Sequence, residues 1–219
     1  MDLRLAIFDL DGVIVDTAKY HYLAWKRLGD EIGIEFTKQD NERLKGVSRM
    51  RSLDILLEIG KQERRDEEKE QLAAKKNAWY VEYIDQMDSS EILPGVLPFL
   101  DELRTASVKV ALGSASKNAR RILERVELGD YFDTIVDGHV VSKAKPDPEV
   151  FALSASLLNI APENAVVFED AQAGIEAARR AGMIAIGVGN PQVLDEAHYV
   201  ISDFTAFSLD RLLELLASS

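Results

Sequence analysis

One rhythm constrains this chain more than any other feature. Short β-branched or apolar runs recur at 5–8, 108–112, 134–136, 166–168 and 184–188, and each ends in a polar, Gly-rich or acidic loop that opens a helical pattern. The helices read as 94–106, 118–126, 148–158 and 171–181, the last closed by Gly182 just past its end. Strands alternating with helices predict an α/β fold with a parallel sheet covered on both faces. Residues 17–90 break the rhythm: they hold no convincing strand and read as helices rich in Glu, Lys, Arg and Leu. The expectation is a helical insertion after the first strand, joined to the core by crossings at 12–16 and 89–95. The domain reading is a core of 1–16 and 93–219 with a helical cap of 17–92. Within it, 61–76 is dense in both charge signs and reads as a solvated helix face.

Composition narrows what such a fold can do. At 219 residues, 47% hydrophobic and 29% charged, the chain is a globular protein able to bury a genuine core. It has no cysteine, which excludes disulfides, thiolate metal sites and cysteine nucleophiles. Its net charge of −12 repels a nucleic-acid backbone or an anionic membrane, so neither is expected as a partner. A small anionic substrate then needs local compensation from a bound cation or a few placed lysines and arginines. No charge-free apolar run can span a bilayer. The first apolar stretch, 5–15, is interrupted by Asp9 and Asp11 and lacks a basic leader. A cytoplasmic monomer is the expectation.

In an open α/β sheet, ligands bind beyond the carboxyl ends of the strands, where Asp9 and Asp11 stand. Two apart, they can point the same way while Leu10 faces the opposite side. The same Asp-x-Asp-Gly run is also good turn chemistry. Glu169 and Asp170 end a second strand, where helix capping would explain Asp170 alone. Carboxylates from two strand ends, with no Cys and three His, suit a hard, oxygen-loving ion such as Mg2+. Two further strand ends carry hydroxyls and positive charge. Gly113-Ser114-Ala115-Ser116-Lys117-Asn118 lets backbone approach an anion at a helix entry, though an ordinary capping loop looks the same. Lys145 lies in Lys143-Ala144-Lys145-Pro146-Asp147-Pro148, ahead of a helix whose entry the prolines fix. Taken alone, it equally suits a solubility residue.

Together Asp9-Leu10-Asp11-Gly12-Val13, Ser114, Lys145-Pro146 and Glu169-Asp170 resemble, in order and spacing, the four motifs of the haloacid dehalogenase superfamily, over nearly the whole chain. The resemblance implies a Rossmann-like core, an aspartyl-phosphate on Asp9, general acid-base work by Asp11, and phosphoryl binding by Ser114 and Lys145. It also implies Mg2+ held by Asp9, Asp170, the Asp11 carbonyl and Glu169. Thr17, His21 and Trp25, the run Leu44-Lys45-Gly46-Val47-Ser48-Arg49 with Ser52, and Lys76-Asn77 look like the cap of the sugar-phosphomutase branch of that superfamily. Ala115, Ser116, Lys117 and Asn118 match that branch too, while Gly113 stands where Ala is expected. The branch implies interconversion of β-D-glucose 1-phosphate and glucose 6-phosphate through a bisphosphate, with Arg49 and Lys117 on the non-transferred phosphate. His21 with Trp25 also reads as a packing face, and Lys45 with Arg49 as exposed charge.

The nearest rival is a phosphatase of the same superfamily acting on a sugar phosphate or phosphoglycolate. A more distant one is a non-catalytic phospho-sugar-binding protein. Kinase and dinucleotide readings fare worse, because the chain has no Walker-type Gly-Lys-Ser/Thr loop and no complete GxGxxG.

Overall fold

The structure, a computed structural model, describes residues 2–217. Six parallel strands, β1 (Leu5–Phe8), β2 (Lys109–Gly113), β3 (Thr134–Val136), β4 (Ala165–Glu169), β5 (Ile184–Val188) and β6 (Tyr199–Ile201), form one sheet in the order β3-β2-β1-β4-β5-β6. The chain steps outward from β1 through β2 to β3, then returns to place β4 on the other side of β1. That reversal makes a switch point between β1 and β4, where loops on either side diverge and leave a crevice.

Both faces of the sheet are covered, so the central strands are continuous apolar runs rather than alternating, broken only by Glu169 at the end of β4. Ala6 and Phe8 point to one face, packing with α5 (Val96–Thr105), α6 (Ala119–Arg125) and α9 (Leu209–Ala217). Here the rings of Phe8 and Phe168 stack at 4.8 Å, with Phe99, Phe204 and Phe207 around them. Leu5 and Ile7 point to the other face, against α7 (Glu149–Leu157) and α8 (Gln172–Arg180). Gly113 also faces this layer: a Cβ there would lie 2.8 Å from a Phe151 ring carbon and 3.1 Å from Ile7, so the departure from Ala has a packing reason.

Between β1 and α5 come four helices, α1 (Ala18–Glu31), α2 (Lys38–Glu42), α3 (Arg49–Ile59) and α4 (Asp66–Ile84), and no strand. They enclose their own apolar cluster of Trp25, Leu28, Phe36, Leu53, Leu56 and Trp79. The two crossings are tied together, because Val15 bridges Ile92 and the Leu93 N–H donates to Ile14 O at 2.9 Å. The five expected strands and four expected core helices are present with ends shifted by a residue or two. Two elements went unread. β6 is only three residues long on the sheet edge, and α9 buries Leu212 and Leu216 at the end of the chain. Among the described residues, no helix is long and apolar enough to cross a membrane.

Candidate active site

The carboxyl ends of β1 and β4 bring the two acidic pairs together. Asp9 follows the last residue of β1, and its N–H continues the pairing to Phe168 O at 2.9 Å. Glu169 is the last residue of β4, and Asp170 follows it. Oxygens of Asp9, Glu169 and Asp170 lie within 4.8 Å of one another. Gly12 makes this possible. It has φ +80°, and any side chain there would collide with the Asp170 carboxylate. Capping does not explain Asp170: Ala171 occupies the N-cap of α8, with no side-chain cap.

Lys145 is buried at the centre of this group. Its Nζ donates to Asp9 Oδ1 at 2.5 Å and to Glu169 Oε2 at 2.8 Å, and sits 4.8 Å from the centre of the Phe151 ring. Burial opposes the ammonium, but Asp9 and Glu169 outweigh it, and the pKa is raised. The Lys145–Pro146 peptide is cis. Both oxygens of Asp9 are held, since Oδ2 accepts the Asp11 N–H at 3.1 Å. Glu169 Oε1 accepts the Ala171 N–H at 3.1 Å.

Electrostatics in this cluster are adverse to so many negative charges. Burial, then the charge of Asp9, pushes Glu169 up to about 8 and Asp170 up to about 7. A divalent cation among these oxygens would reverse that penalty, and an all-oxygen donor set is what Mg2+ takes. The residues present fit that ion.

The Asp11 carboxylate lies outside the trio. Thr17 Oγ1 donates to its Oδ1, and burial, then the charge of Asp9, raises its pKa to about 6. Thr17 is itself fully buried and reaches the site through this bond. His21 Nε2 stands 3.9 Å from the same Asp11 oxygen. Burial, then the nearby charges of Lys76 and Arg49, holds His21 well below its usual range, so the ring is neutral. Lys76 Nζ lies 3.0 Å from His21 Nδ1; as an ammonium it can only donate, and in that state the ring proton sits on Nε2, toward Asp11. The Lys76 ammonium rests over the Trp25 and Tyr80 rings at 4.7 and 4.6 Å. With burial and Arg49 opposing its charge, its pKa falls to about 7.

All of this opens into one cavity of about 500 Å³ between the sheet edge and the helices. Asp9, Asp11, Ser114, Lys145 and Asp170 line it from the core, with Ala115, Ser116, Lys117 and Asn118 of the loop after β2. His21, Trp25, Lys45, Gly46, Val47, Arg49, Ser52, Lys76 and Asn77 line it from the helices. Two contacts close the rim: Asn118 Nδ2 donates to Asn77 Oδ1 at 3.0 Å, and Lys45 Nζ lies 3.5 Å from Asp170 Oδ2. Gly46, at φ +70°, brings its turn onto Ala171, where a Cβ would sit 3.0 Å from the Ala171 Cβ. Glu169 is buried beneath the lining rather than in it. Sequence reading missed Asn41 and Tyr80. Both line the cavity from positions that look like ordinary helix residues, and no local motif marks them.

A parallel sheet with convergent carboxylates and a buried lysine at its switch point defines a class of phosphate-handling proteins built on an aspartate. The chain belongs to the haloacid dehalogenase-like hydrolase family, whose model matches residues 3–182. Over 214 residues it is 41% identical to the β-phosphoglucomutase of Bacillus subtilis (strain 168), covering 97% of this chain and 95% of that one. A crystal structure of β-phosphoglucomutase from Clostridium difficile superposes with a TM-score of 0.94 at 42% identity, covering 99% of this chain and 98% of that one. The phosphorylated carbohydrates phosphatase of Thermotoga maritima is 33% identical over 184 residues, 83% of this chain and 82% of that protein.

Proposed function

We propose that this chain is an Mg2+-dependent phosphomutase that interconverts β-D-glucose 1-phosphate and glucose 6-phosphate through an aspartyl-phosphate at Asp9 and a glucose 1,6-bisphosphate intermediate. The observation that carries the reading is that one cavity is lined both by members of the Asp9 cluster and by further cations, Arg49 and Lys117 among them, that are not ion-paired to it. A substrate with phosphate at one end and reacting oxygen at the other needs both.

Phosphoryl transfer is mostly positioning and charge stabilisation, and the residues divide accordingly. Asp9, with its oxygens held by Lys145 and the Asp11 N–H, is the nucleophile. Asp9, Glu169, Asp170 and the Asp11 carbonyl would hold Mg2+, which would supply Lewis-acid neutralisation of the transferred group when bound. Lys145 and Ser114 donate to its oxygens. Asp11, pushed up to about 6, gives a proton to the departing sugar oxygen and takes one from the incoming hydroxyl.

Residues 17–92 act as a cap. Arg49, whose fork matches phosphate bidentately, and Lys117 hold the non-transferred phosphate, with Ser116 and Asn118 beside them. Trp25, His21, Lys76, Asn77, Ser52, Ala115 and the turn of Lys45, Gly46 and Val47 enclose the sugar. A grip on phosphate rather than on one end of the sugar tolerates both orientations of the bisphosphate. Closure excludes water, which would otherwise hydrolyse the phosphoenzyme.

The test is product analysis with β-glucose 1-phosphate, Mg2+ and a trace of the bisphosphate. Glucose 6-phosphate appears and inorganic phosphate does not, and Asp9→Asn abolishes the reaction. Stoichiometric phosphate release would instead establish a phosphatase, the activity named for the Thermotoga relative.

A further inference from the structure

The loop that carries Lys117 is held partly from within. The Ser114 N–H extends the sheet pairing to Val136 O at 3.0 Å. The Ser114 and Ser116 hydroxyls accept the Ser116 and Asn118 N–H groups at 3.1 Å each. Those bonds leave the carbonyls of Ser116 and Lys117 unfixed, and both are taken from outside by consecutive residues of the turn after β3. The Gly138 N–H donates to Ser116 O at 3.1 Å, and His139 Nε2 donates to Lys117 O at 2.9 Å. The two segments touch with no space between them, since a Cβ on Gly138 would collide with Ala115 O and lie 3.0 Å from Lys117 Cγ.

The turn itself is pinned by Asp137, 1% exposed. Its Oδ1 accepts the His139 N–H at 2.9 Å, and its Oδ2 accepts Arg120 Nε at 3.1 Å. Arg120, on α6, spends a second arm on Ile135 O at 2.9 Å. A buried carboxylate thus ties the end of β3 to the helix that follows the 114–118 loop, and the turn it shapes grips the backbone of Lys117.

We propose that Asp137 and His139 are positioning residues for the phosphate grip. They hold the Lys117 backbone so that its flexible stem delivers the ammonium to the substrate's non-transferred phosphate; the proposal rests on the reading that Lys117 makes that contact. A lysine side chain has four rotatable carbons, so the fixed point from which it searches is the backbone, and displacement by an ångström costs binding.

The test separates this role from general stability by using two phosphoryl donors. β-Glucose 1-phosphate needs the grip. Acetyl phosphate does not: Asp9 attacks its phosphorus, the P–O bond to acetate breaks, and acetate leaves as the anion without a proton. His139→Ala, an exposed substitution, raises KM for β-glucose 1-phosphate by roughly 3–10-fold and leaves phosphorylation of Asp9 by acetyl phosphate within about twofold. His139→Gln, which can still donate, restores most of the loss. Asp137→Asn behaves like His139→Ala or more severely. Lys117→Ala raises KM at least as much, and the double variant His139→Ala with Lys117→Ala is no worse than Lys117→Ala alone. Effects that multiply in the double variant, or a parallel fall in both reactions, overturn the positioning role. If Lys117→Ala leaves KM unchanged, the grip reading fails first and takes this proposal with it.

Discussion

The ammonium of Lys145 stands 2.5 Å from Oδ1 of Asp9, its partner across 136 residues of chain, with Glu169 at 2.8 Å on its other side. Neither carboxylate has another protein cation within ion-pair distance among the described residues, so this one lysine is the ion-pair partner of both.

Lys145→Ala should therefore damage both chemistry and fold. Removing one partner of a buried ion pair costs about 3–5 kcal/mol, because the other charge is left uncompensated. Loss of its hydrogen bond to the transferred group should lower kcat by roughly 10²–10³-fold. Thermal melting and initial rates measure the two losses separately. A variant with near wild-type kcat would remove Lys145 from the catalytic group.

Asp11→Asn should split the two half-reactions. Its proton is needed when a sugar oxygen leaves or attacks, and not when acetate leaves as an anion. Phosphorylation of Asp9 by acetyl phosphate should survive, while transfer to the sugar falls by roughly 10²–10⁴-fold. Rapid-quench measurement of the phosphoenzyme reads the first step, and glucose 1,6-bisphosphate formation reads the second. Equal loss in both would contradict a general acid-base role.

Lys76 should make the fold pH-dependent. Its pKa falls to about 7 from 10.5, with burial the main cause, Arg49 adding to it and Asp11 opposing; His21 beside it is neutral. Between these values the unfolded chain binds the proton and the folded chain does not, so stability from this group rises with pH. Below about 7 its burial penalty is fully present. Lys76→Met should raise Tm by several degrees at pH 6, with the gain shrinking toward pH 10. A constant difference across that range would refute the account.

Gly113→Ala should destabilise by about 1–3 kcal/mol, the usual range for overpacking, because the new Cβ meets the Phe151 ring at 2.8 Å in a filled layer. Since Phe151 also faces Lys145, kcat should fall as well. Chemical denaturation and initial rates test the pair of effects. An unchanged denaturation midpoint would mean that Phe151 yields without cost.

Much of this was legible in the sequence, for reasons particular to each part. β1 and β4 are apolar runs buried on both faces that stop at carboxylates, so strand and site residue announce each other. Residues 18–84 carry helical spacing and no strand-like run, so the insertion was visible as a change of period. β6 was not legible, because three residues at a sheet edge carry too little periodicity. Nor were Asn41 and Tyr80, whose place on the cavity depends on how α2 and α4 lie over the sheet.

The sequence by itself determined the inventory: which side chains end the strands, where the helices begin, and that the chemistry must use oxygen and nitrogen. Local pattern can do that because strand and helix periods are properties of neighbouring residues. Only the tertiary structure decided the distances. It placed Lys145 between Asp9 and Glu169, turned His21 Nε2 toward Asp11, and set the Gly138–His139 turn against Lys117. Those relations follow from the return of β4 to the side of β1 and from the packing of the inserted helices over the sheet edge. No stretch of sequence encodes either of them alone.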